Sequence, residues 1–252
     1  MIPSVRNFMA LTVAPLAGAL LVSACGNAPA ISQASRATPP AHAADTPAPA
    51  SSNALVVSGV GVGGAPSDGT YSGNPSGGAL ITNPSKVDAA GAITAQFTFY
   101  GPDGKVVGTS SDFVELLRAG QTTSVHASPM GSVSSGQIAR VDVQAAARLW
   151  QKDPHPMSVI LGQGVTVSPE AYTDHTFNVN GQLVSHYTSN LTNVAAEFYC
   201  TDSGGRFLAA SGTIVQLLPG GGTAGASQMI FASEQPATCK LFAQPSLASA
   251  GS

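Results

Sequence analysis

Three cysteines and five histidines are the side chains best suited to chemistry in this 252-residue chain. Their spacing limits what they can do. Nucleophilic catalysis needs a serine or cysteine set against a base, and the base set against a carboxylate. Asp174-His175 supplies a carboxylate and a base, but no Gly-x-Ser-x-Gly elbow or comparable nucleophile context accompanies them. A zinc site needs ligands at helix- or strand-compatible spacing. His42, His126, His155, His175 and His186 show no i,i+2 or i,i+4 pairing and no cysteine at metal spacing. Gly59-Val60-Gly61-Val62-Gly63-Gly64 formally matches a dinucleotide fingerprint. That fingerprint works only where a helix opens and turns its N-terminus to the pyrophosphate. Here Ala65-Pro66-Ser67-Asp68-Gly69-Thr70 follows, which reads as loop. The carboxylates are sparse. Asp112 and Glu115 flank Phe113-Val114, and Asp142 lies on a late strand, where solvated positions are expected. Asp68, Asp103 and Asp202 sit in turns, where aspartate bonds the local backbone, and no spaced acidic run suggests calcium. The expectation is a protein with no catalytic residues, no metal and no cofactor.

Cys25 is different. It closes Val22-Ser23-Ala24-Cys25 at the end of an apolar run from Phe8 to Val22, preceded by Arg6. The run is shorter than the roughly 20 residues a spanning helix needs, and Pro15 and Gly18 interrupt it. This segment resembles the signal peptide and lipobox of bacterial lipoproteins. The resemblance implies cleavage before Cys25 and acylation of its thiol. Each buried methylene then contributes about 0.8 kcal/mol, so several acyl chains anchor the protein to a membrane. Gly26, in place of aspartate, implies passage to the outer membrane in a two-membrane host.

Charged residues make up only 9% of the chain, far below the roughly 25% of ordinary globular proteins. Gly, Ser, Thr and Ala take their place, as in many exported β-rich proteins. The net charge of −3 is spread thinly and forms no basic patch, which argues against nucleic acid as a partner. Residues 26 to about 53 are dominated by Ala, Pro and Ser and lack the material for a core. They are expected to form an extended spacer that reaches up to about 85 Å at about 3.1 Å per residue.

The remainder contains a duplication with a period of about 100 residues, which suits tandem domains. Phe99-Tyr100 matches Phe198-Tyr199, Asp103-Gly104-Lys105 matches Gly204-Gly205-Arg206, and Leu116-Leu117 with Gly120 matches Leu217-Leu218 with Gly221. Ala139-Arg140-Val141 matches Cys239-Lys240-Leu241. Each unit reads as all-β. Ala95, Phe97 and Phe99 alternate with Gln96, Thr98 and Tyr100, the period of a half-buried strand. Short strands between Gly, Pro, Asn and Asp turns suggest a sandwich. One helix is expected, over 143–151, before Pro154 and Pro156 mark the junction.

The stretch from Phe97 through Tyr100 and the turn to Lys105 resembles the FxLYD family of bacterial envelope domains, although Phe99 and Gly101 replace its Leu and Asp. The resemblance implies two tandem immunoglobulin-like β-sandwiches. The expected organisation is a signal peptide at 1–24, the lipidated N-terminus and spacer at 25–53, and repeats at 54–150 and 156–245. With Cys25 lipidated, Cys200 and Cys239 remain. An oxidising location favours a disulfide between them, with two buried free thiols as the alternative. On the repeat alignment, the first-repeat equivalents are Gly101 and Ala139.

The function expected from these features is a non-enzymatic envelope module, held at the membrane through Cys25, that binds or assembles with an envelope protein. The alternative is a glycan- or small-ligand-binding cell-wall module that uses the aromatics Tyr71, Tyr172 and Tyr187. Trp150 is expected to pack near the interdomain joint. A hydrolase would require histidines and carboxylates converging in one cleft.

Overall fold

The computed structural model describes residues 54–65, 75–153, 160–171 and 173–246. Cys25, His42, Asp68, Tyr71, His155 and Tyr172 lie outside the described residues, as do the signal peptide and spacer. The described chain is an all-β two-domain sandwich fold whose only helical element is a 3-10 turn at Ser135–Gln137.

The first sandwich has an inner sheet A of β1 (Val56–Gly64), β2 (Pro75–Thr82) and β5 (Thr122–Ala127). Its outer sheet B holds β4 (Val106–Leu117), β3 (Asp88–Tyr100) and β6 (Arg140–Lys152). The second has an outer sheet C of β11 (Thr223–Phe231), β8 (Thr176–Ser185) and β7 (Ile160–Pro169). Its inner sheet D holds β10 (Phe207–Leu218), β9 (Leu191–Thr201) and β12 (Thr238–Gln244). All pairs are antiparallel, and the order β1-β2-β5 with β4-β3-β6 recurs as β7-β8-β11 with β10-β9-β12. Even the first strands share a defect. Ser58 and Gly61 face Leu80 and Gly78, so Gly59 and Val60 crowd opposite one residue, and Gln163 and Thr166 straddle the same bulge in β7. The first bulged residue is left-handed in both, at Gly59 (φ +59°) and Gly164 (φ +61°). A side chain there would strain the backbone.

The cores follow the alternation of the central strands. Ile93, Ala95, Phe97 and Phe99 of β3 are buried, as are Val194, Ala196, Phe198 and Cys200 of β9. The ladders correct the alignment of the repeats. Phe97 lies opposite Ser110 and Ala90 opposite Leu117, just as Phe198 lies opposite Ser211 and Leu191 opposite Leu218. The structural partner of Phe198 is therefore Phe97, two residues before the match of similar dipeptides. Cys200 and Cys239 form a disulfide between directly opposed residues, with Cα atoms 4.1 Å apart. Their first-sandwich counterparts are Phe99 and Val141, an opposed pair of buried apolar residues, and not Gly101 and Ala139. The bond closes a loop across 39 residues and stabilises the second sandwich by about 3–4 kcal/mol.

The helix expected over 143–151 is absent, and those residues belong to β6, paired with β3 along its length. Three alanines in a row favour a helix locally. In β6 the alternate residues Val143, Ala145 and Ala147 reach the core while Gln144, Ala146 and Arg148 face out, and this burial overrides propensity. Trp150 is half-buried and packs against the same core.

The two sandwiches form one body, because the outward face of sheet A lies on the outward face of sheet D. Phe207 fills the space over β1 and β2, packed against Tyr199 with ring centroids 5.2 Å apart. A Cβ on Gly61 would stand 2.6 Å from Phe207 Cβ, and one on Gly78 would overlap the ring. The Tyr199 hydroxyl donates to the Gly59 carbonyl. Gln121 Nε2 donates to the Ala243 carbonyl at 3.0 Å, and Gln244 Nε2 donates to Thr123 Oγ1. A buried charge pair closes one end. The Arg118 guanidinium bonds the Asp153 carboxylate and lies 5.3 Å from the ring centroid of Tyr187 in the second sandwich. Asp153 also accepts from the Ala119 amide at 3.1 Å.

Two variants test this account. Gly78→Val forces Phe207 out of its seat, so small-angle scattering should report a larger radius of gyration with each sandwich still folded. Asp153→Ala leaves Arg118 buried without its carboxylate and should cost about 3–5 kcal/mol in denaturant unfolding.

Candidate functional site at the junction of the sandwiches

Sheet A covers only part of sheet D. It meets the Tyr199 and Phe207 end and the β12 side, and leaves the far end of β9 and β10 open. The result is a groove of about 670 Å³. Its floor is Asn193, Ala195 and Glu197 of β9 with Ile214 and Gln216 of β10, and Phe113 and Glu115 of β4 form the wall. Gln244, Pro245 and Ser246 complete the rim. Strand alternation explains the floor. Val194, Ala196 and Phe198 point into the second core, so the residues between them point toward the first sandwich.

At one end of the groove stands a titratable cluster. His126 of β5 places Nδ1 3.4 Å from Glu197 Oε2. Asp112 of β4 accepts from the His126 amide at 3.0 Å and from the Phe113 amide at 2.7 Å. Glu197 lies over Gly212 of β10, where any Cβ would collide with the carboxylate. Burial works against protonation of His126. The contact and charge of Glu197, helped by Asp112, outweigh it and hold the imidazole above its ordinary value. Burial pushes the Glu197 carboxyl up as well, Asp112 adds to this, and His126 opposes it only in part.

The residues singled out by sequence fall elsewhere. Tyr187 is not an exposed ligand contact. It is 4% exposed, because Arg118 and the second core enclose it. His175 and Asp174 line a separate shallow depression with Pro169, Glu170, Thr173, Thr176 and Phe177, and among the described residues that lining holds no serine or cysteine. Gly59 to Gly64 lie in β1. Gly59, Gly61 and Gly63 lie against Tyr199, Phe207 and Leu208. Asp103 and Asp202 bond backbone amides of their own turns. Among the described residues, no three His, Cys, Asp or Glu side chains stand together as metal ligands. Glu197 and its pairing with His126 escaped the sequence reading. The only signal was a carboxylate between two core residues of a strand, a position that normally faces water.

Comparison with protein-family models and with characterised proteins finds no match for this chain.

The cluster has a pH signature. Both groups have folded-state values raised above the ordinary 6.5 and 4.5, so folding takes up protons. The His126 contribution is complete below its unfolded value and is lost as pH rises through the folded one. The Glu197 penalty accumulates as pH rises from its unfolded value to its folded value. Thermal unfolding of the whole chain should therefore show stability falling as pH rises above the ordinary Glu197 value of 4.5 and on through the raised value of His126. The double variant H126Q/E197Q should remove most of that slope.

Proposed function

We propose that this chain is a lipid-anchored envelope protein that acts as a non-enzymatic binding or assembly module, with the junction groove as its contact site. The observation that carries the reading is that both sandwiches contribute to one open groove with exposed apolar side chains. Phe113 is 57% exposed and Ile214 is 52% exposed, and both line it. Apolar side chains of this size at a shared concave surface mark interaction sites on soluble domains. The anchor rests on Val22-Ser23-Ala24-Cys25, and the Ala/Pro/Ser stretch after it supplies reach. The FxLYD resemblance at Phe97 to Tyr100 supports an immunoglobulin-like envelope domain.

A second reading, glycan binding, is favoured by the amides of Asn193, Gln216 and Gln244 in the same groove. It no longer uses Tyr187, which is buried.

Cross-linking in the native envelope, followed by mass spectrometry of everything attached, tests the module. A reproducible protein partner supports the first reading, and recovered polysaccharide fragments support the second. Recovery of the chain alone overturns both. In parallel, Cys25→Ser should move the protein from the membrane fraction to the soluble fraction, and an unchanged membrane fraction would remove the anchor.

A further inference from the structure

The fold sorts charges that the sequence spreads thinly. At one pole of the first sandwich β1, β3 and β5 begin and β2, β4 and β6 end, and the described chain enters there, at residue 54. The loop from β2 to β3 is fixed at this pole by its own side chains. Buried Asn83 donates through Nδ2 to the carbonyls of Asp88, Leu117 and Arg118, and its Oδ1 accepts from the Ser85 amide. Ser85 Oγ accepts from the Val87 and Asp88 amides. Lys86 and Val87 are left exposed at the tip. The end of β6 lies beside them, since Lys152 pairs with Asp88 and the Asp153 amide donates to the Val87 carbonyl at 2.8 Å. Just before it, β6 exposes Arg148 and Leu149.

Lys86, Arg148 and Lys152 form no ion pair among the described residues. Asp153 is buried against Arg118, which leaves the half-buried Asp88 as the nearest carboxylate. Glu115 stands across sheet B on β4, beside the groove. The opposite pole has the reverse balance. There Lys105, Arg140 and Arg206 are all paired, with Asp103, Asp142, Asp202 and Glu234. A rigid pole that mixes unpaired cations with exposed apolar side chains complements an anionic lipid surface, where each cation is attracted and the apolar groups enter the headgroup boundary. A tether keeps such a pole at high effective concentration, so contacts that are weak singly suffice.

We propose that this pole of the first sandwich seats on the anionic phospholipid surface that holds the anchor, through Lys86, Arg148 and Lys152 with Val87 and Leu149. This rests on the lipid-anchor part of the proposed function. It gives the body an orientation, with the acidic pole turned away from the membrane.

Trp150, the chain's single tryptophan, is half-buried next to Leu149 and reports on the seat. The test uses the protein recovered from its envelope and reconstituted on vesicles. One set is phosphatidylcholine alone, and the other is equal parts phosphatidylcholine and phosphatidylglycerol. The protein should float with both sets through its anchor. Trp150 should be shielded from acrylamide only on the anionic set, and added salt should remove the shielding. K86Q/K152Q should lower the ratio of seated to unseated chains about fivefold per lysine. K240Q, which removes an exposed unpaired cation far from this pole, should leave it unchanged. Flotation on both sets with equal shielding would overturn the seat and leave the anchor standing. So would a K86Q/K152Q variant that is shielded like the parent, or a K240Q variant that loses shielding as fully. Failure to float on either set would overturn the anchor and the seat together.

Discussion

Two sheets can lie face to face at backbone distance only where one of them lacks side chains. That condition is met where Phe207 and Tyr199 meet Gly59, Gly61 and Gly78. The glycine run of β1 looks like a phosphate loop in sequence, but in the fold it is a seat for an aromatic pair. Most of the arrangement follows from it. Once Phe207 is seated, β5 lies along β9 and β12, Gln121 and Gln244 reach across, and His126 meets Glu197. The groove exists because that seat covers one end of sheet D and leaves the other open. Arg118 and Asp153 add a buried charge pair at the point where the chain leaves the first sandwich. Such a pair contributes more to holding one arrangement than to net stability.

Much of the fold was legible in the sequence, and for a definite reason. Alternation along 95–100 and the recurrence of turn residues report directly on half-buried strands. The match of the Phe-Tyr dipeptides slipped by two residues, while that of Leu117 with Leu218 held, because a shift of two keeps every side chain on its own face. Phe99 and Phe198 are both core residues, so similarity alone could not expose the slip. Only the ladder to β4 and β10 could. The stretch over 143–151 misled for the opposite reason, since its alanines carry little period-two contrast.

The groove was less legible. Its residues come from β4, β9, β10 and β12 with the two residues after it, and no one segment looks unusual. Phe113 read as half of an apolar pair, Glu115 read as a solvated position, and Glu197 drew no reading at all. Tyr187, chosen for its type, is enclosed by a charge pair that pattern cannot reveal. A site formed between repeats has no counterpart within either repeat, so the duplication that exposed the fold concealed the site.

The disulfide carries one more consequence. The same core position is filled by Phe99 against Val141 in the first sandwich and by Cys200 against Cys239 in the second. The first sandwich can be completed by packing alone. The second, whose sheet D is the floor of the groove, is completed by an oxidation. On the export route proposed above, newly made chains carry a finished half and an unfinished half until the bond is oxidised. On that same proposal, the floor of the groove matures only with the oxidation, and the bond would then be a chemical record of arrival.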